Sequence, residues 1–250
     1  MTKRILCFGD SNTWGVIPRK EASDVTPNRY DLSTRWTSVM AHDLGSDWEI
    51  IEEGLGERTT IFKTDGEEYR LGNSYLRPCL LSHRPLDYIA IMLGTNDLEP
   101  GLHEDYFDEN DIAHGMEELI KIVAASKDCG VDGQPPKILL IAPPPIQVSD
   151  TRPDISRKYG MQIGVAISWR LAPVYAELAK KYDISFIDSA EYAKVSSVDG
   201  IHFTEASHPR LGRALANCFR KMQRLYAKDH THGKLQSPEK QPYIVQQAGL

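Results

Sequence analysis

The sequence predicts an α/β domain in which helices flank a parallel sheet. Short runs rich in Ile and Leu alternate with longer segments whose apolar residues recur every three or four positions. The short runs are bounded by Gly, Pro, Asp or Asn, the residues that end strands. A length of 250 residues suits one core of this kind, and a composition 41% hydrophobic and 26% charged is that of an ordinary folded domain.

Five strands are predicted, at Ile5–Phe8, Trp48–Glu52, Tyr88–Leu93, Ile138–Ala142 and Ile184–Ile187. Helical periodicity marks Arg35–Leu44, Asp111–Ser126 and Gly160–Tyr182, and a last helix is predicted from Thr204 to about Tyr226, with the Thr204 hydroxyl as its N-cap. Two long irregular stretches, Val16–Ser33 and Pro143–Arg157, follow predicted strand ends, where the loops of an open α/β sheet wall a ligand pocket. The acidic run from Glu104–Asp105 to Asp108–Glu109 reads as a solvated loop. Residues 1–227 therefore read as one domain, and 228–250, rich in His, Lys, Gln, Pro and Ser, as a polar tail.

A net charge of −6 gives no electrostatic reason to bind nucleic acid or an anionic membrane. No apolar run approaches the roughly 20 residues of a membrane span, and the apolar stretch after Arg4 is too short for a signal peptide. The four cysteines, Cys7, Cys79, Cys129 and Cys218, are scattered without CxxC spacing, so reduced thiols in a cytoplasmic protein are expected. No metal site is predicted: His42, His83, His103, His114 and His208 read as ordinary surface or core histidines.

Chemistry concentrates at predicted strand ends. Gly9-Asp10-Ser11 directly follows the first strand and presents Ser11 at the carboxyl edge of the sheet. A serine hydroxyl needs a base to become a nucleophile and a third group to orient that base. Asp199-Gly200-Ile201-His202 supplies both across a single turn after the last strand. Gly94-Thr95-Asn96-Asp97 follows the third strand and can project the Asn96 amide over the same edge as an oxyanion donor. The Ser11 backbone N–H at a helix start is a second donor, and the loop Gly54-Leu55-Gly56-Glu57-Arg58-Thr59 can supply a third. Asp10, Asn12, Trp14, Gly56, Thr95 and Ile201 are pocket or supporting candidates by adjacency. The alternative is a flavodoxin-like module that binds FMN or a phosphorylated ligand without hydrolysing anything, but no GxGxxG or GxxxxGK[ST] loop is present.

These segments, in this order, resemble the four blocks of the GDSL/SGNH hydrolase superfamily. The runs Arg4-Ile5-Leu6-Cys7-Phe8-Gly9-Asp10-Ser11, Asn12-Thr13-Trp14-Gly15, Ile91-Met92-Leu93-Gly94-Thr95-Asn96-Asp97 and Asp199-Gly200-Ile201-His202-Phe203-Thr204-Glu205 further resemble its cytoplasmic arylesterase and acyltransferase (perhydrolase-type) branch. The resemblance implies a flavodoxin-like three-layer α/β/α sandwich with a five-stranded parallel sheet. It also implies a Ser11 nucleophile, a His202 base and an Asp199 orienting carboxylate, with an oxyanion hole of Ser11, Asn96 and a second-block donor. At that donor position the family has glycine and this chain has Glu57, whose side chain is expected to discriminate against acidic or bulky acyl groups. Further implications are a small ester as substrate, no metal or cofactor, acyl transfer to alcohols or peroxide beside hydrolysis, and a homo-oligomer with restricted pocket access.

Overall fold

The computed structural model describes residues 2–21, 23, 28–63 and 66–231. Strands β1 (Lys3–Gly9), β2 (Trp48–Gly54), β3 (Tyr88–Met92), β4 (Lys137–Ala142) and β5 (Ser185–Asp188) form one sheet in the order β2-β1-β3-β4-β5. All four pairings are parallel, with Ile5 beside Ile50, Cys7 beside Ala90, Ala90 beside Leu139 and Leu140 beside Phe186. The order reverses between β1 and β3, the switch point where open α/β sheets bind ligands.

Alternate side chains of each strand serve opposite layers. Leu6, Phe8, Ile89, Ile91 and Leu140 pack beneath α3 (Gly72–His83), α4 (Glu109–Ala125) and α6 (Met161–Tyr182), against residues such as Leu76, Met116 and Leu171. Ile5, Cys7, Ala90, Leu139 and Ile187 face α2 (Trp36–Leu44) and α7 (Ser207–Thr231), against Trp36, Met40, Leu215 and Phe219. The three-layer sandwich and its five parallel strands agree with the expectation, every strand boundary lying within two residues of the expected one.

The helices differ more. The acidic run ends not in open loop but in a cap: Asp108 accepts from the Asn110 amide at 2.8 Å, and its own amide donates to Asp111 at 2.9 Å, a capping box that starts α4 at Glu109. Thr204 is not the N-cap of the last helix, which begins at Ser207. Its hydroxyl instead shares a 2.7 Å hydrogen bond with the Ser207 hydroxyl. Helix α7 continues to Thr231, into the segment assigned to a polar tail, and residues 232–250 lie outside the described residues. Two helices were not expected. One is α3, and the other is α5 (Pro153–Lys158), which forms inside the stretch read as irregular, with Pro153 in its first turn. The other long stretch, Val16–Ser33, is tied back by a bridge between Val16 and Arg29, and its residues 22 and 24–27 are outside the described set.

Candidate active site

Strand β1 ends at Gly9, where a Cβ would lie 2.0 Å from the Thr13 hydroxyl and 2.9 Å from the Met92 carbonyl, so only glycine lets the chain turn there. Asp10 then caps the single-turn helix α1 (Ser11–Trp14), its carboxylate accepting from the Asn12 amide at 2.8 Å while its carbonyl takes the amides of Thr13 and Trp14. Ser11 occupies the first helical position and the Ser11 amide takes no part in these bonds. The Asp199–His202 turn lies at the same edge. Gly200 has a φ of +79°, and a Cβ on it would meet the Gln147 carbonyl at 2.0 Å, so this turn too is built on a glycine.

Three side chains separated in sequence meet here. His202 Nε2 is 3.0 Å from Ser11 Oγ, and His202 Nδ1 is 2.7 Å from Asp199 Oδ2. The other Asp199 oxygen accepts from the amides of Ile201 and His202 at 3.2 and 3.1 Å. Burial pushes the Asp199 carboxyl up, but the His202 ring and these two amides outweigh it and hold it below the ordinary carboxylate range. An ionised Asp199 fixes the proton on Nδ1 and leaves Nε2 free to accept from the Ser11 hydroxyl. Ser11 and His202 are each 8% exposed and Asp199 1%, so the outer end of the chain alone reaches solvent.

Asn12 locks the two turns together. Its amide nitrogen donates to the Ile201 carbonyl at 3.1 Å and its oxygen accepts from the Phe203 amide at 2.9 Å, bracketing His202 on both sides. Asn12 and Ile201, read as pocket candidates, are thus joined to each other behind the base. Asp10 is buried, and desolvation raises its carboxyl to about 6 against the opposing pull of the Asn12 amide and His202.

Asn96 opens a 3₁₀ turn directly after β3 and is 2% exposed. One of its amide hydrogens goes to the Arg58 carbonyl at 3.0 Å, and its oxygen accepts from the Tyr159 hydroxyl at 2.7 Å. With the group pinned at both ends, its second N–H has a fixed direction. Thr95 is buried beside it, and Asp97 faces away, accepting from the Thr60 amide at 2.8 Å and hydroxyl at 2.5 Å. Burial raises the Asp97 carboxyl to about 6.

Glu57 adopts a φ of +62°, a left-handed backbone that glycine takes without strain, which accounts physically for the glycine that the resemblance implies at this position. Its carboxylate meets Lys158 of α5 at 2.9 Å and Arg70 at 3.7 Å, so the charge expected to repel acidic acyl groups is already paired. Gly56 before it has open space around its α-carbon. The Trp14 ring stacks under Arg29, whose guanidinium lies 5.0 Å from the ring centroid.

Sequence reasoning missed two supports. Tyr159 closes α5 and reaches Asn96. Arg58 is 2% exposed, donates to the Gly9 carbonyl at 2.9 Å and to the Glu53 carbonyl, and so fastens the second block to the turn that carries Ser11. Tyr159 lies in no motif that spacing would single out, and Arg58, although inside the Gly54–Thr59 loop singled out for a backbone donor, is not marked there by its side chain.

Similarity to known proteins agrees with this geometry. Residues 7–210 match the model of the GDSL-like lipase/acylhydrolase family. Among solved structures, the aryl esterase of M. smegmatis is 41% identical with a TM-score of 0.80, covering 88% of this chain and 99% of that one. A carbohydrate acetylesterase from Sinorhizobium meliloti is 35% identical with a TM-score of 0.80, covering 88% and 100%. A second structure from that organism, a carbohydrate acetylesterase family member, is 33% identical with a TM-score of 0.78, covering 90% and 100%. No curated protein sequence matches significantly. The flavodoxin-like binding module gives way to these findings: the chain belongs to the GDSL-like lipase/acylhydrolase family and is a carboxylic ester hydrolase.

Proposed function

We propose that the enzyme hydrolyses small esters, with short acyl chains or aryl leaving groups, through an acyl-enzyme on Ser11. The observation that carries this reading is the unbroken hydrogen-bonded chain from Asp199 through His202 to Ser11. Ser11 Oγ attacks the ester carbonyl carbon as His202 Nε2 takes its proton. The tetrahedral intermediate collapses, the C–O bond to the alcohol breaks, and His202 returns the proton to the departing oxygen. Water then attacks the acyl carbon, again giving its proton to His202, and the acid leaves as Ser11 regains a hydrogen. The negative oxygen of each intermediate is met by the Ser11 amide, the Asn96 side-chain N–H and the Glu57 amide. A preference for acetyl or aryl esters is supported by the activities named for the similar aryl esterase and acetylesterase structures.

An alcohol or hydrogen peroxide can replace water in the second half-reaction, transferring the acyl group. We further propose a cytoplasmic homo-oligomer. Four buried cysteines, none of them in a disulfide, support the compartment, and Ile163 and Trp169, each 66% exposed on α6, support self-association. No helix among the described residues is long and apolar enough to cross a membrane.

Hydrolysis of p-nitrophenyl acetate by the native enzyme and Ser11→Ala tests the main reading. The variant is expected to lose at least about 10³-fold in kcat, and equal rates would refute it. Added benzyl alcohol should yield benzyl acetate above the uncatalysed blank, and sedimentation velocity should find a species larger than one chain.

A further inference from the structure

A second cluster of reactive side chains lies beside Arg58, whose guanidinium is 5.3 Å from the Tyr75 ring centroid. Tyr75, Cys79 and His83 recur every four residues on α3, so they form one stripe on the helix, and that stripe faces Glu53 near the end of β2. His83 Nε2 is 2.8 Å from Glu53 Oε1, and the Tyr75 hydroxyl is 3.3 Å from Glu53 Oε2. One ligand atom from each of Glu53, Cys79 and His83 lies within 4.8 Å of the others. The sequence reads His83 as an ordinary surface or core histidine, with neither a carboxylate partner nor a second ligand. The structure corrects both points, because Cys79 precedes it by one helical turn on a helix that the sequence did not reveal.

We propose that Glu53, Cys79 and His83 form a binding site for a divalent metal ion of the zinc class. One thiol, one imidazole and one carboxylate are the donor types that borderline-soft ions select over magnesium or calcium. Around a single tetrahedral zinc, such donors stand about 3.3 to 3.6 Å apart, a spacing reached from the present cluster by parting His83 from Glu53 and drawing Cys79 in. Three protein ligands leave a fourth position for water, and the Tyr75 hydroxyl stands beside Glu53 as an outer hydrogen-bond donor. His83 and Glu53 are partly exposed, with side chains 29% and 19% accessible, which gives an ion a way in.

Charge is consistent with a dication. Arg58 places one positive charge near Glu53 and Cys79. An ion would displace the thiol proton to solvent, and the resulting thiolate and carboxylate together balance its two charges. The ion would tie α3 to β2, and it is separate from the proposed ester chemistry, which draws on none of these three side chains.

Cadmium is the probe, because a cysteine thiolate bound to Cd2+ gives an ultraviolet charge-transfer band that reports sulfur ligation without any activity assay. Titrating the intact enzyme should give one bound Cd2+ per chain by equilibrium dialysis, with the band saturating at the same point and displaced by excess Zn2+. Cys79→Ser should abolish the band. His83→Gln and Glu53→Gln, which alter partly exposed groups and keep the thiol, should each weaken Cd2+ binding at least about tenfold. Absence of a band at stoichiometric Cd2+, a band that survives in Cys79→Ser with native circular dichroism, or unchanged affinity in both glutamine variants would overturn the proposal. If Cys79→Ser fails to fold, the glutamine variants decide it alone.

Discussion

Replacing Tyr159 with Phe removes a single hydroxyl, 2.7 Å from Asn96 Oδ1 and fully buried. The ring stays and keeps its packing, so the perturbation is confined to one hydrogen bond. Asn96 then has its amide nitrogen fastened to the Arg58 carbonyl and its oxygen without this partner, in a place where water does not reach. Leaving a buried acceptor unpaired costs about 1 to 3 kcal/mol of stability. The catalytic effect is smaller than deletion of the donor, which costs about 10² to 10³ in kcat, because the Arg58 bond still limits rotation of the amide. A fall in kcat of about 5- to 50-fold, with KM changed less than about twofold, is the expected result, since an oxyanion donor acts in the transition state and not on the bound ester. Steady-state hydrolysis of p-nitrophenyl acetate by the native enzyme, Tyr159→Phe, Asn96→Ala and the double variant separates positioning from general damage. If Tyr159 acts through Asn96, its loss changes kcat little once Asn96 is gone. An equal fall in kcat in both backgrounds would refute the reasoning.

Asn12→Leu should cost about 2 to 4 kcal/mol, because it strands the Ile201 carbonyl and the Phe203 amide. Urea unfolding would show the loss, and kcat should fall with it as His202 loses its bracket. Glu57→Gly should keep kcat within about threefold, since the proposed donor is a backbone N–H and glycine suits a φ of +62°; a loss near 10²-fold would assign the work to the side chain. His208 is buried without hydrogen-bond partners and, chiefly through desolvation, titrates at about 4 instead of 6.5. A depressed folded value means stability that is present above pH 6.5 and lost as pH falls towards 4, about 2 kcal/mol of it by pH 5. His208→Leu removes that term, so its stability relative to the native enzyme should rise by about 2 kcal/mol between pH 8 and pH 5, and a difference that does not move with pH would refute the assignment.

What the sequence makes legible follows from where the physics is local. Apart from the edge strand β2, where glutamates interrupt Trp48, Ile50 and Ile51, the strands are apolar runs with turn residues at both ends, and Ser11 and Asn96 closely follow β1 and β3 while Asp199 and His202 lie in the connection from β5 to α7, so their meeting at one edge follows from parallel topology. Helix α3 was illegible because little in it is local. Pro78 interrupts its middle, no side chain caps it, and its first amides at Gly72 and Asn73 donate instead to the carbonyls of Thr59 and Thr60, about a dozen residues back in the chain. Tyr159 was illegible for the same reason: its role exists only when α5 docks over Asn96. The Thr204 cap failed because a hydroxyl with a nearer partner, Ser207, does not wait for an orphan amide.

These long-range bonds also explain how loops hold a site that strands alone would leave loose. Arg58 joins the loop after β2 to Gly9 at the end of β1, and Asn96 after β3 joins that loop through the Arg58 carbonyl. Tyr159 secures Asn96 from α5, and Asn12 joins the turn after β1 to the turn before α7. Every strand-end segment that carries a proposed catalytic group is therefore bonded to another such segment by a buried side chain, and none depends on its own backbone alone. Donors held in this way need no reorganisation when negative charge develops on the substrate, which is where preorganised sites gain their rate. The same arrangement makes the site cooperative: loosening one bond shifts a neighbour's aim before it unfolds the sheet, so turnover should fail ahead of global stability along this circuit, whereas core substitutions at Leu80 or Phe219 should reverse that order.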